Sequence, residues 1–530
     1  MKNNSQLSTL YSPLLIIPAI KKNAVIPDQL IKKLNGITLI QRAINTAREV
    51  TQDILIITDS EEISVIAERN NIRFYLNSTL ILNSENIVEK VKSILNNAEG
   101  KNIIIYRANT PLVNSVILKK AYSEFLLSSK CILTSVKILD GQLLTYKNDF
   151  LKFSSNYYFK ELKSFFIFKN INESANYKPY VIEEEISIEI ENYQDWWICE
   201  KVLQRKRIIF NVIGSLKIGM GHIYHSLALA HEITDHEVIF VCDERYEIAV
   251  ATITSTDYKV ITTKNITKTM LELKPDLVIT DIIKTDLRYI KTLIENNIKI
   301  VNFEDLGEGA KEADLVINEL YDKPQLQGDN FLWGYEYLTL RDEFENATPH
   351  KFKDKLNSIL ITFGGTDQNN LTLVTLKSII NIASNNNIKI YIVCGGGYLF
   401  KEALESYLNN HSYKNIELTY AIGIISKIME NTQIAFSSNG RTVYELADMN
   451  IVTIVVSHHK REDRHSFASL EKGFINLGVY DENRTKELIK ISFEKLLFDY
   501  HYRKLLFLNI EQYKFRYNKK RVVNIILGLL

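Results

Sequence analysis

One histidine in this chain directly follows a pair of closely spaced glycines, between an apolar run and an amphipathic one, and is the side chain best placed to move a proton. It lies in Ile208 to Ile233, IIFNVIGSLKIGMGHIYHSLALAHEI. Ile208 to Ile213 predicts a buried strand, and Leu227, Ala228 and Ala230 mark the buried side of a helix. Gly219 and Gly221 in the turn let backbone approach a ligand, and the free N–H groups opening the helix favour an anion such as phosphate. His222 then stands beside whatever that anion is attached to, and an imidazole titrating near neutral pH suits a general base. Two other readings stay open. In one, the turn begins a dinucleotide site with Asp243 as its ribose-binding acid, although Tyr224 holds the place of the third glycine. In the other it is a structural turn with a helix-capping histidine.

Other candidates follow strand-like runs. Asp281 closes KPDLVITD, and Asp305 follows KIVNFE; ligands of open α/β sheets bind at such carboxyl ends, and acids there also serve as helix caps. Gly364 and Gly365 follow ILITF, Gly395 to Gly397 follow IYIVC, and Ser437, Ser438, Asn439 and Gly440 follow TQIAF, with Glu445 one turn further on. Three such turns in one region form a constellation that offers hydroxyls and N–H groups to phosphate oxygens and a carboxylate to ribose hydroxyls. His458, His459 and His465 lack the spacing of a metal site on one helix face and predict a polar loop near a cleft.

The elements that must position these residues alternate strand and helix almost throughout, which predicts an α/β fold with mostly parallel sheets. At 530 residues there is room for three domains, drawn at 1–206, 207–347 and 348–530. The first of these boundaries rests on the restart of strand character after WWICEKVLQRKR, with no linker between. Lys plus Arg number 64 against 63 for Asp plus Glu, which speaks against nucleic acid or an anionic membrane as partner. Cys131, Cys199, Cys242 and Cys394 are scattered and read as reduced, buried thiols. No apolar run approaches a membrane span and the N-terminus lacks signal-peptide character, so a cytoplasmic protein with no membrane insertion is expected. Near the C-terminus, Lys519, Lys520 and Arg521 predict a solvated helix face.

Across about two hundred residues from Leu14, the pieces IIPA, LNGITLI, TDSEEI, NTPL and EIENYQD occur in order, and this region resembles the nucleotidyltransferases that make CMP-activated nonulosonic (sialic-type) acids. The resemblance implies a Rossmann-type domain that binds CTP, a nonulosonic acid and Mg2+. It places Lys21, Lys22 and Asn109 toward CTP, and Glu189 and Glu191 at the family's metal-binding carboxylate pair. Carboxylates at i and i+2 on a strand share a face and can hold magnesium; the other reading is a solvated acidic strand. The phosphate loop departs from the family: Ile20 replaces an arginine, Lys21 and Lys22 replace glycines, and Gln29 and Leu30 replace a Lys-Asn pair. Retained cytidylyl transfer and its loss, leaving a non-catalytic nucleotide-sugar-binding scaffold, both stay open.

From Ile208 onward, IGMGHIYHSLALA, DLVITD, FEDLG, GYEYLTLRDEF, ITFGGTDQNNLT and SSNGRTVYELADMNI resemble the UDP-sugar hydrolase of pseudaminic acid biosynthesis, a relative of glycosyltransferases with the two-lobed glycosyltransferase-B fold. The resemblance implies a UDP-sugar held between the lobes with no cofactor required. His222 would activate water against the anomeric carbon, with Gly219, Gly221, Gly364, Gly365, Ser438 and Glu445 near the UDP-sugar. His225 stands where the family has an arginine, and VSHHKREDRHSF replaces an Asn-Gln segment. The expected function is UDP-sugar hydrolysis in nonulosonic acid and cell-surface glycan synthesis; the alternative is a glycosyltransferase, in which an acceptor hydroxyl replaces water.

Overall fold

The computed structural model describes residues 12–21, 26–80, 87–95, 101–127, 131–139, 144–147, 150–153, 158–169, 176–215 and 218–530. The chain divides into two compact units, Met1–Arg205 and Lys206–Leu530. The fold is α/β, as the alternation predicts.

The first unit is built on a seven-stranded sheet. Its order is Asn176–Val181, Cys131–Leu139, Tyr158–Lys169, Asn102–Tyr106, Leu14–Ala19, Ile54–Thr58 and Arg73–Leu76, and only Tyr158–Lys169 runs antiparallel to its neighbours. Leu14–Ala19 and Ile54–Thr58 are apolar on both faces because helices cover both sides of the sheet. The helix Leu39–Val50 starts where the Thr38 hydroxyl accepts from the Gln41 N–H, and Glu61–Arg69 where the Ser60 hydroxyl accepts from Ile63. Asn192 and Asp195 make a reciprocal capping box that opens Tyr193–Gln204.

The second unit contains two doubly wound sheets. In the first lobe, seven parallel strands are ordered Val260–Thr263, Glu237–Asp243, Arg207–Val212, Leu277–Asp281, Lys299–Phe303, Leu315–Asn318 and Phe331–Trp333. In the second, six are ordered Ile416–Tyr420, Lys389–Cys394, Ser358–Thr362, Ile434–Ser437, Val452–Ser457 and Phe474–Val479. Each sheet therefore reverses its strand order between its first and fourth strands, and the loops leaving that pair diverge to open a crevice at their carboxyl ends. In the first lobe the crevice lies between the loop that precedes His222 and the end of the strand at Asp281; in the second it lies between Gly364 and Ser438.

The C-terminal helix Asn518–Leu527 does not stay with the second lobe. Val522, Val523 and Ile526 pack among Ile208, Phe210, Leu227 and Ala230 in the core of the first, each buried aliphatic side chain contributing about 1.5–3 kcal/mol. This corrects the solvated face expected at Lys519. Its ammonium is buried against Asp342, Glu345 (2.7 Å) and Glu232 (3.2 Å). Burial works against the charge, but the carboxylates outweigh it and hold the group above its ordinary range. Lys520 and Arg521 are exposed.

Cys199, Cys242 and Cys394 are buried free thiols, each pushed up to about 12 chiefly by burial; the side chain of Cys131 lies outside the described residues. Among the described residues, no helix is long and apolar enough to cross a membrane.

Candidate active site

His222 is the second residue of the helix Gly221–His231, and its placement follows from the strand order. The turn after Arg207–Val212 and the end of Leu277–Asp281 are neighbours across the reversal, which brings His222 Nδ1 within 2.6 Å of Asp281 Oδ1. The other carboxylate oxygen is 2.6 Å from His225 Nδ1 and accepts from the Ser226 hydroxyl at 3.3 Å. Asp281 is fully buried; burial opposes its charge, but the two imidazoles outweigh it and hold the carboxyl well below the usual carboxylate range. An ionised Asp281 requires His222 to carry its proton on Nδ1, leaving the Nε2 lone pair free to accept one. Asp281 lines neither of the two compartments between the lobes. It was expected as a UDP-sugar contact and instead orients two histidines.

His225 is buried, and burial, helped by the nearby Arg441 charge, pushes it down to about 4. His350 and His465 are likewise held near 4, in both cases chiefly by burial. A histidine whose folded value lies below its ordinary 6.5 contributes stability that is present above 6.5 and lost as pH falls toward 4. Glu304 is raised to about 7, so its contribution has the opposite slope, present below 4.5 and lost as pH rises through 7. Asp367, raised by burial, opposes the histidines as Glu304 does, whereas Asp281 and Asp342, held low, lose stability with them as pH falls; the melting temperature is expected to fall from pH 6.5 to 4, with His350→Gln flattening the curve. Thermal denaturation across that window checks this, and an unchanged melting temperature contradicts it.

Two compartments lie between the lobes, bordered by residues lining both: Gly219 to Gly221, Gly364 to Thr366, Arg441 and Thr442. A Cβ on Gly365 would lie 3.8 Å from Gly219 Cα and from Met220 N, so the glycine turns of the two lobes meet here. Gly219 and Gly364 have φ of 89° and 77°, backbone that suits glycine. The first compartment, a 330 Å³ cavity, is walled by Tyr224, Ile248, Leu338, Val393, Gly395 to Gly397, Ile422 and Ile425. It ends at Glu445, whose carboxylate accepts from Arg341 Nε at 2.8 Å; Arg341 also pairs with Glu343. The second, 270 Å³, is polar, lined by His222, Glu304, Tyr321, Ser438, Gly440, His458, His459, Arg461 and His465.

The remaining candidates divide. Ser438 and Gly440 face the polar compartment, whereas Ser437 and Asn439, the alternate residues of the turn, line neither. Asn439 Nδ2 donates to the carbonyls of Glu462 and His465 at 3.1 and 2.9 Å and holds that loop in place. Asp305 is not brought to the cleft: its carboxylate accepts from Thr285 N–H and hydroxyl, Asn302 Nδ2 and Gly307 N–H, and ties its loop to the one that follows Leu277–Asp281. Asp367 caps Leu371–Asn385 through the N–H groups of Leu371 and Thr372. Asp243, the ribose acid of the dinucleotide reading, is held by Arg245 and lines neither compartment.

Four polar residues at the cleft escaped the sequence reading. Arg341 lies inside GYEYLTLRDEF, and Arg441 inside SSNGRTVYELADMNI, where it reaches the buried Glu319 as an ion pair. Glu319 also lies 3.6 Å from His225 Nε2. Glu304, beside Asp305 in FEDLG, is buried, accepts from the Leu320 N–H at 3.1 Å, and has a left-handed φ of 53°. Burial pushes it up to about 7 while Arg441 pulls it down. A buried carboxyl on strained backbone beside a histidine dyad is the pattern of a working group; an apolar run ending in two acids was the available signal.

In the first unit, Lys21 pairs with Glu62 at 2.6 Å and Asp28 at 3.2 Å; Lys22 lies outside the described residues. Asn109 donates to Glu189 Oε1 at 3.0 Å, and Arg107 reaches the same oxygen as an ion pair. Glu189 and Glu191 lie in an extended connection, not on the strand expected.

A sequence model of the cytidylyltransferase family matches residues 14–211. An uncharacterized protein of Methanocaldococcus jannaschii is 28% identical over 264 residues, 46% of this chain and 54% of that protein, so the chain spans about half the length of the curated relative it matches. Among solved structures, MurG of Acinetobacter baumannii is similar over 61% of this chain and 99% of its own, with 14% identity and a TM-score of 0.46. CMP:2-keto-3-deoxy-manno-octonic acid synthetase complexed with CTP is similar over 36% of this chain and 98% of its own, with 9% identity and a TM-score of 0.29.

Proposed function

We propose that the second unit cleaves a UDP-sugar to UDP and free sugar, with His222 as general base. The carrying observation is the His222–Asp281 pair at 2.6 Å, set on a polar compartment that shares a border of glycine turns with an apolar one. In this reading the uracil lies in the 330 Å³ cavity, the ribose hydroxyls meet Glu445, and the diphosphate crosses the border beside Arg441. The sugar then enters the polar compartment. His222 Nε2 takes a proton from water as the oxygen attacks the anomeric carbon, the bond to the diphosphate oxygen breaks, and UDP leaves as the anion, its charge met by Arg441. Glu304, partly protonated near neutral pH, donates a hydrogen bond to a sugar substituent.

The first unit contributes a cytidine-nucleotide site, and together the units serve nonulosonic acid assembly: one step releases a sugar from UDP, and a later one involves the CMP-activated acid. The test is UDP release from a panel of UDP-sugars, including UDP-2,4-diacetamido-2,4,6-trideoxyhexoses, with no acceptor present. Release from the diacetamido sugars is the expected result. UDP binding without release moves the assignment to a glycosyltransferase, and no UDP binding overturns the reading.

A further inference from the structure

In the first unit, the carboxyl ends of Leu14–Ala19 and Asn102–Tyr106 lie side by side, with Leu14 opposite Ile103 and Ile16 opposite Ile105. Arg107 and Asn109 follow the second of these strands at the strand-order reversal, where an open sheet binds its ligand. Glu189 is brought there from far along the chain. Ile190 N–H donates to the Asn109 carbonyl at 2.9 Å, and Gln29 Nε2 donates to the Ile190 carbonyl at 2.6 Å, which fixes the connection that carries Glu189.

Magnesium at a nucleotide site needs one or two carboxylates free to face the phosphates, in near-octahedral geometry. The residues present do not meet that need. Glu189 Oε1 is already engaged by the Arg107 guanidinium and by Asn109, and both partners of the ion pair are largely buried, at 22% and 17% side-chain exposure. Glu191 is exposed, and the neighbouring Asp195 is spent accepting from the Glu191 and Asn192 N–H groups in the helix cap. A divalent cation at Glu189 would have to displace a guanidinium that already supplies the positive charge.

The geometry points to a first unit in which Arg107 holds the place of the divalent cation, so that a nucleoside triphosphate is bound through a guanidinium and without a metal. Arginine suits that exchange: it carries five N–H donors in a planar fork, remains charged at any working pH, and offers phosphate oxygens the donors that Glu189 does not use. It brings no exchangeable water and no Lewis acid, so the exchange favours binding over cytidylyl transfer. The inference rests on the cytidine-nucleotide reading of the first unit.

The test is calorimetric titration of the full-length chain with CTP, in EDTA and in excess magnesium. Affinity is expected to agree within about two-fold between the buffers, and Arg107→Gln to weaken it about ten-fold or more in both. Glu189→Gln, which is isosteric and spares the fold, is expected to leave CTP affinity unchanged or improve it, because it frees the guanidinium. CTP binding that requires magnesium and is lost in Glu189→Gln overturns the inference while leaving the nucleotide reading intact. No CTP binding in either buffer overturns that reading and the inference with it.

Discussion

Replacing His222 with alanine is expected to lower UDP release about 10²–10⁴-fold, the range for loss of a positioned general base, while UDP affinity stays within about three-fold of the parent. The separation follows from the two compartments. His222 lines only the polar one, whereas Tyr224, Gly395 to Gly397 and Glu445 line only the other. Asp281→Asn is expected to lose as much activity for a different reason: an amide oriented to donate to His222 Nδ1 would push the ring proton onto Nε2 and remove the lone pair that accepts. In that orientation the amide oxygen still takes the place of the carboxylate oxygen shared by His225 and Ser226, so the loss is expected with a melting temperature near that of the parent, which tells it apart from a folding defect. Steady-state UDP release, UDP calorimetry and thermal denaturation on the two variants check the pair. Turnover unchanged in His222→Ala removes the proposed base.

Gly395→Ala is expected to reduce UDP affinity by about 5- to 150-fold, because overpacking of about 1–3 kcal/mol would fall on the turns that border the nucleotide cavity. A Cβ at this position would stand 2.4 Å from Gly365 Cα and Gly365 O, and 2.6 Å from Gly364 O. These are backbone atoms, which no rotamer change can move. Gly365 in turn faces the first-lobe turn, so the displacement would carry across the cleft. The control is Gly423→Ala, at a glycine whose added Cβ would meet nothing within 4 Å. UDP calorimetry on both variants checks the expectation, and equal affinities contradict it.

The alternation of strand and helix and the position of the glycine turns are legible in the sequence because both are local: apolar runs of five or six residues ending in glycine state their own geometry. What a strand-end residue faces is not local. Ser437 and Ser438 are adjacent and chemically identical, yet only the second lines the cleft, because successive residues leave a strand on opposite sides. Asp281 and Asp305 look alike as acids at strand ends. The strand order places one beside two histidines and surrounds the other with four donors, two of them from Thr285 in the neighbouring loop. Arg341, Arg441, Glu304 and Glu319 were hidden for the same reason: each acquires meaning from a partner distant in sequence. Lys519 misled through its neighbours, since a run of three basic residues reads as solvated until the carboxylates of Asp342 and Glu345 arrive from almost two hundred residues away.

The return of the C-terminal helix to the first lobe means that the polypeptide passes between the lobes twice, once on leaving Phe331–Trp333 and once between Ile510 and Asn518. The passages lie against each other, with Asn518 Nδ2 donating to the Tyr335 carbonyl at 3.2 Å. Two adjacent pivots permit a swing about the line joining them and resist sliding or twisting. A protease that cut one passage would leave the halves clasped by the other, still able to bring the turn before His222 back against Gly365.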